Sequence, residues 1–460
     1  MGNNTRVLSF IMAGGNGNRL KILTKHRCKP ALDILGSYKI FDFVASNIVN
    51  TGIPVSLVAT QFKPESLCSH IRETWGKNSS NSEFEIINSN EKGCNISKFE
   101  GTADSVRKSM YHIDKYNPDI IIVLGADHIY FIDYEDVLKQ HSAYNADITI
   151  MTNVIPDNKV SDFGIVKINE FGQIIDFAEK PTDKEIIDSF RLNPGIKRYL
   201  GIEDPNMNFL ASMGNYVFHW ERLKRFMDLP GADFGKDIIP AIKANGGALF
   251  AYVFNGYWRD VGKIQDYFDC NMEFTQKPMS LLRSWMGTRE EKLPSPRVDG
   301  GSYIKRTILS NGDVISHKDN IVNSVLGHNV VVEEGCTLDH CILLGTDTDS
   351  IIQENNENDL ESQDVYSENA THIGKGSSLN YAILDKNIWI GKNVNINPQN
   401  GTPDRRKEIL QNLGLKPYKE LDDGTVDGDF YIEPETGILV IGKQNNTNPE
   451  KPILPDGLRC

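Results

Sequence analysis

The sequence predicts an α/β domain of the doubly wound type followed by a β-solenoid. Three features of its 460 residues support this. Short apolar runs alternate with helical patterns over 1–275, a Pro-, Arg- and Ser-rich stretch covers 276–300, and a six-residue apolar period occupies 301–460.

In the first part, Val7–Met12, Val55–Ala59, Ile120–Leu124 and Ile148–Val154 read as strands. Continuous apolar runs of that length suit a parallel sheet covered on both faces. Ile40, Phe41, Val44 and Ile48 recur at helical spacing, and Thr51-Gly52 closes that helix. Alternation of this kind gives a doubly wound sheet whose ligands lie beyond the carboxyl ends of its strands. Residues 276–300 read as a linker. Beyond it Val325, Val331, Thr337 and Leu343 are spaced by six, as are Leu384, Ile390 and Ile396. That period marks a solenoid of hexapeptide turns, with a sandwich of short strands as the alternative. Two loops interrupt it: 346–371 is acidic and Asn-rich, and 399–428 joins the cluster Arg405-Arg406-Lys407 to an acidic run, with a short helix expected.

The composition, 39% hydrophobic and 24% charged, is that of a globular chain. A formal charge of −13 argues against a general nucleic-acid binder, so any phosphate ligand needs local cations. No apolar run reaches the roughly 18 residues of a membrane span. The start, Met1–Arg6, has neither a secretory apolar region nor the Ser or Thr of a myristoylation signal. Seven cysteines without a CxxC pair read as free thiols of a reducing, cytoplasmic compartment rather than a zinc site.

The chemistry concentrates after the first strand, at Ala13-Gly14-Gly15-Asn16-Gly17-Asn18-Arg19-Leu20. Glycines let a backbone approach a polyphosphate and offer it N–H groups, although such loops are also plain tight turns. The run lacks the Gly-Lys-Ser/Thr ending of a P-loop and the spacing of a dinucleotide fingerprint. Arg19, Arg27 and Lys29 put three cations beside it, suited to neutralising the phosphates of a departing pyrophosphate. Asp127 follows the strand Ile120–Leu124, where a carboxylate is either a turn residue or a Mg²⁺ ligand.

The run GGNGNRLKILTKHRCKPAL…YKIFDFVASNIVNTGI resembles the N-terminal signature of the ADP-glucose pyrophosphorylase family. Similar stretches follow in the same order: Thr60-Gln61-Phe62, Gly101–Asp104, Gly125–Tyr130, Asp162–Ile165, Glu179-Lys180-Pro181, Ala211–Gly214, Asp233–Asp237 and Tyr257–Gly262. The resemblance implies a mixed-sheet, Rossmann-like nucleotidyltransferase domain and a left-handed parallel β-helix. It also implies Mg²⁺ as cofactor, held by Asp127 and Asp260, with ATP and glucose 1-phosphate as substrates. Arg19, Lys29 and Asp127 take catalytic roles. Gly14, Gly15, Gly17, Gln61, Gly101 and Thr102 face the nucleotide, and Phe99, Gly164, Glu179, Lys180 and Ser212 face the sugar phosphate. The implied assembly is a homotetramer, or a heterotetramer with a sister subunit, under a phosphorylated effector.

The chain departs from the family pattern at several places. Asn16 and Asn18 stand where a small or basic residue and then Thr are usual. Lys98-Phe99-Glu100 lacks the usual Trp. His26 and Pro398 replace Lys residues tied to effectors, and Lys443 is displaced by one position. Rival readings are a uridylyl-, thymidylyl- or guanylyltransferase, a non-catalytic regulatory subunit, and a purely structural solenoid. Retention of Arg19, Lys29 and Asp127 favours a working catalyst.

Overall fold

The computed structural model describes residues 5–76, 81–89, 98–286, 293–346, 370–443 and 452–460. Its chain forms two compact units, one of Met1–Gly15 with Phe43–Arg259 and one of Asn16–Asp42 with Asp260–Cys460. The glycine-rich run is thus divided after Gly15.

The first unit is built on a nine-stranded sheet. Its strands are β1 (Val7–Ala13), β2 (Val55–Thr60), β3 (Glu83–Asn88), β4 (Ile120–Gly125), β5 (Ile148–Pro156), β6 (Gly164–Ile168), β7 (Ile174–Glu179), β8 (Met207–His219) and β9 (Leu249–Val253). Parallel pairing joins β3-β2-β1-β4, and the long β8 then runs antiparallel to β4, β5 and β6. The sheet is therefore mixed. Its centre follows from composition: Ile120–Leu124 is wholly apolar and at most 1% exposed. Each such side chain contributes roughly 1.5–3 kcal/mol by leaving water. The expected helix is α1 (Phe41–Thr51), and α2 (Glu65–Thr74) and α3 (Thr102–Lys108) follow later in the chain. Crossovers like these return the chain to the same end of the sheet, so that the next strand runs parallel.

The second unit is a three-faced parallel coil. Val314 lies beside Val331, Asn320 beside Thr337 and Val325 beside Ile342, so each turn of the coil takes seventeen residues. The six-residue spacing of the sequence places successive residues on successive faces, and one face is a residue shorter than three full hexapeptides require. Left-handed corners form columns; one holds Arg306, Asn323, His340 and Tyr381, with φ between 47° and 53°. The His340 and Tyr381 rings stack there at 4.8 Å. Backbone N–H groups inside the corners are satisfied by side chains one turn earlier, as with Asp319 Oδ1 accepting from Cys336 N at 2.8 Å. Ser324 does the same for Cys341 N and Ser377 for Val394 N. The interior holds Ile321, Leu338, Leu379 and Ile396 in one stack.

Residues 276–300 contain a helix, Met279–Met286, because Leu282 and Met286 are buried. In 399–428 the expected helix is Pro403–Asn412, capped by Thr402 Oγ1 accepting from Arg405 N. Most of 346–371 lies outside the described residues, as does Cys94. Among the described residues six cysteines are free and buried, and no helix is long and apolar enough to cross a membrane.

Asn16–Asp42 belongs to the coil unit for a physical reason. The Arg27 guanidinium donates twice at 2.8 Å to Asp385 Oδ1, both side chains being buried. Lys39 and Lys386 both bind Asp33, at 3.2 and 3.1 Å. Burial pulls Lys39 below its ordinary pKa, with Asp33 opposing. Such pairs are costly to break because the survivor keeps a desolvated charge. Asp385→Ala should therefore cost about 3–5 kcal/mol in denaturant unfolding of this unit. A cost under about 1 kcal/mol, the scale of a surface pair, contradicts it.

Burial also pushes the Asp319 carboxyl up to about 6 from 3.8, with the Glu334 charge adding. A raised carboxyl stabilises the fold fully below its unfolded pKa, and that contribution is lost as pH rises through about 6. Asp319→Asn keeps the acceptor for Cys336 N, so its melting temperature relative to wild type should rise between pH 4 and pH 7. A flat difference across that window contradicts the account.

Candidate active site

In the first unit Gly14, Gln61 and Asp127 follow the carboxyl ends of β1, β2 and β4 and Glu179 ends β7, while Gly164 opens β6 and Ser212 lies within β8. Asp127 lies two residues beyond β4, and its side chain remains 44% exposed. Gly125 N donates to Asn215 Oδ1 at 2.9 Å, which ties the end of β4 to β8. His128 Nε2 is 3.7 Å from Asp127 Oδ1, and His128 Nδ1 accepts from Trp258 Nε1 at 3.3 Å. The Trp258 ring in turn packs on Phe163 at 5.0 Å.

Gln61 and Phe99 form a reciprocal pair. Gln61 Nε2 donates to Phe99 O at 3.2 Å, and Phe99 N donates back to Gln61 Oε1. A Cβ on Gly14 would lie 3.4 Å from Gln61 Cβ, so the end of β1 passes close to this pair. Gly15 has open space around it.

Gly101 and Thr102 sit where α3 meets the segment 231–235. A Cβ on Gly101 would lie 2.3 Å from Ala232 O, which explains the glycine without any ligand. Ala103 N and Asp104 N donate to the same carbonyl. Thr102 Oγ1 donates to Asp233 Oδ2 and accepts from Phe234 N, both at 3.0 Å. Its hydroxyl is therefore spent on the protein.

The sugar-phosphate candidates surround one carboxylate. Glu179 ends β7 opposite Gly164 on β6, and Cβ atoms on Gly164 and on Gly235 would each lie 2.5 Å from Glu179 Oε2. Two glycines thus make room for this side chain. Burial holds Glu179 above the usual carboxylate range; Asp233 adds to the shift, while Lys180 and Lys236 oppose it. Lys180 takes a left-handed φ of 46°, with its N–H on Phe163 O at 3.2 Å. Ser212 lies on β8, its Oγ accepting from Gly214 N at 3.2 Å. Tyr216, further along the same strand, is pushed up by burial and hydrogen-bonds Ser212.

In the second unit, Gly17, Arg19, Lys29 and Asp260 come together. Lys29 Nζ lies 3.0 Å from Asp260 Oδ1, with 6% of the lysine side chain exposed. Arg19 is 57% exposed, and its Nη2 is 3.9 Å from Asp260 Oδ2. Gly17 needs its glycine twice over: φ is +69°, and a Cβ would meet Lys29 Cβ at 2.9 Å. Gly262 is likewise confined between Arg19 Nη2 and the Asp260 carboxylate. One carboxylate thereby fixes two cations, one buried and one free to reach a ligand. Asp127 and Asp260 belong to different units.

Sequence reasoning assigned no role to Asp233 and His128, which lie within the stretches Asp233–Asp237 and Gly125–Tyr130, nor to Asn215 and Tyr216, all of which the structure sets beside the candidate residues. Asp233 had a signal: its carboxylate also accepts from Gly235 N and Lys236 N, a helix cap that Asp-x-Gly spells out. Asn215 and Tyr216 had none, since an isolated polar residue in a strand declares no role.

The nucleotidyl transferase family model matches residues 8–277, and that of the GLGC left-handed parallel beta-helix domain matches 292–413. Over 441 residues the chain is 32% identical to a glucose-1-phosphate adenylyltransferase of Acetivibrio thermocellus, covering 93% of this chain and 90% of the relative. It is 34% identical to one of Lachnospira eligens over 338 residues, 71% of this chain and 74% of the relative. Nucleotidyl transferases work with a divalent metal ion. A nine-stranded mixed sheet followed in the chain by a parallel coil, the two family matches, and relatives covered over 90% and 74% of their own lengths place the chain in the glucose-1-phosphate adenylyltransferase family of nucleotidyl transferases.

Proposed function

We propose that the chain condenses ATP and α-D-glucose 1-phosphate to ADP-glucose and diphosphate, the first committed step of glycogen or starch synthesis. The observation that carries this reading is the pair Lys29 and Arg19 held on Asp260, directly after a glycine-rich loop, in a chain whose net charge is −13. An anionic protein places a desolvated lysine there for an anion to meet. The relatives named for this activity supply the nucleotide and the sugar.

In the proposed reaction a phosphate oxygen of glucose 1-phosphate attacks the α-phosphorus of ATP. The bond from that phosphorus to the β-bridging oxygen breaks, and diphosphate leaves with its electron pair. No proton need move, so positioning and charge neutralisation dominate. Lys29 and Arg19 neutralise the triphosphate, Arg19 by swinging from Asp260. Gly14, Gly15, Gly17, Gln61, Gly101 and Thr102 border the nucleotide. Lys180 grips the phosphate of the sugar, Glu179 accepts from its hydroxyls, and Gly164, Ser212 and Phe99 shape the remaining wall. Asp127, 44% exposed, and the more buried Asp260, 14% exposed, each offer hard oxygen donors of the kind Mg²⁺ prefers. Bound there, the ion would offset charge on the phosphates. We further place the enzyme in the cytoplasm as a homotetramer, or a heterotetramer with a sister subunit, responsive to a phosphorylated effector.

Two outcomes follow. Offered ATP, UTP, dTTP and GTP separately with glucose 1-phosphate, the purified chain should form ADP-glucose at least about tenfold faster than any other product, a preference of about 1.4 kcal/mol. Equal or better use of UTP or dTTP would reassign the substrate, and no product with any of the four would mark a regulatory subunit. Lys29→Ala and Asp127→Ala should each lower kcat by about two to three orders of magnitude, the scale of one lost charge stabiliser. Near-normal turnover in either variant removes its role.

A further inference from the structure

The coil unit carries a hairpin that the β-helix family match, which ends at residue 413, does not include. Strands Lys419–Glu420 and Val426–Asp427 pair antiparallel around a turn closed by Leu421 N on Thr425 O at 2.8 Å. The hairpin is rooted by Phe430, which is buried in the coil interior, and by Tyr418 N donating to Phe430 O at 2.8 Å.

Its other side meets the segment that leaves the glycine-rich loop. Asn18 Nδ2 donates to Glu420 Oε1 at 2.8 Å and to Gly424 O at 2.6 Å. Glu420 is itself aimed by the Tyr418 hydroxyl, which donates to Oε2 at 3.3 Å. Lys25 Nζ donates to Gly428 O at 2.8 Å and pairs with Asp427 at 3.1 Å. Between them Lys21 lies over two rings, 4.8 Å from the centre of Tyr418 and 5.5 Å from that of Tyr431. Lys21 has a left-handed φ of 57° with ψ −131°, a kink that an L-residue rarely adopts unaided. Three side chains of one short segment are thus gripped by one hairpin. Asn18, where the chain departs from its family, is the residue that Glu420 holds.

We propose that the hairpin 417–431 is a positioning clasp for the glycine-rich loop, fixing Asn18 and with it the neighbouring Arg19. The hairpin touches no substrate. It acts by holding the 18–25 backbone so that the Arg19 side chain swings from Asp260 to the nucleotide about a fixed Cα, and the proposal rests on the nucleotide-neutralising role given to Arg19 above. Glu420 and Tyr418 are therefore positioning residues, and their loss should be felt for the nucleotide and not for the sugar.

The experiment compares Glu420→Ala, Glu420→Gln, Asn18→Ala and the double variant Asn18→Ala/Glu420→Ala with wild type. Glu420→Ala should raise KM for ATP about tenfold, the scale of one lost hydrogen bond to a charged group. KM for glucose 1-phosphate should change less than about twofold and kcat less than about threefold, the pattern of lost positioning for one substrate. Glu420→Gln, which keeps an acceptor for Asn18, should restore most of the loss, and the double variant should be no worse than either single. Hydrogen exchange of the amides of residues 16–25 should quicken in Glu420→Ala while the coil core stays protected. An unchanged KM for ATP, additive single effects, or unchanged exchange at 16–25 would overturn the clasp. Exchange needs no turnover, so a chain inactive with ATP would sink the functional reading while leaving the clasp to be judged on exchange alone.

Discussion

Asp260 holds Lys29 at 3.0 Å in a place where the lysine is almost shut off from water. A desolvated ammonium is stabilised by a carboxylate or a phosphate beside it and is costly to leave with no anion at all. In the proposed reaction this pair is exchanged: Asp260 holds Lys29 in place before a ligand arrives, and a polyphosphate then takes the place of the carboxylate. Gly17 and Gly262 have no side chain because these groups occupy the space. Gly17, which the sequence offers as part of a phosphate cradle, is thus a packing necessity whether or not a phosphate binds.

The same logic explains why residues 16–42 fold with the coil. Buried pairs between Arg27 and Asp385, and between Asp33 and both Lys39 and Lys386, fasten the segment to a corner of the solenoid. Leu35 N on Asn271 Oδ1 and Tyr267 Oη on Asp33 O add neutral anchors. Arg19 and Lys29, given to the proposed chemistry, alternate with the anchoring cations Arg27 and Lys39 along one short stretch, each set by the anion it meets. Arg19 remains exposed because only Asp260 lies near it among the described anions, at 3.9 Å.

The sheet was the most legible part of the sequence. Val7–Met12, Val55–Ala59, Ile120–Leu124 and Ile148–Val154 each became a strand within a residue or two, since a run buried on both faces has no polar interruption to obscure it. The solenoid was legible as a repeat, while its turn of seventeen residues was not. A six-residue spacing between neighbouring faces is local, but closure depends on pairing across a whole turn. The helix at Met279–Met286 hid within a stretch whose Pro and Arg residues suggested a linker. Among site residues, Asp127 and Asp260 stood out through motif and strand end. Thr102 read as a nucleotide contact, yet its hydroxyl serves Asp233, a partner 131 positions away that no local pattern could reveal.

The central claim is the exchange at Asp260, and one crystallographic measurement addresses it. The chain would be crystallised with Mn²⁺ and a non-hydrolysable ATP analogue, and the ion located by anomalous scattering. The account predicts an ion on the Asp260 carboxylate, with Lys29 Nζ moved onto a phosphate oxygen. A bound analogue with Lys29 still seated on Asp260, and the ion elsewhere, would contradict it.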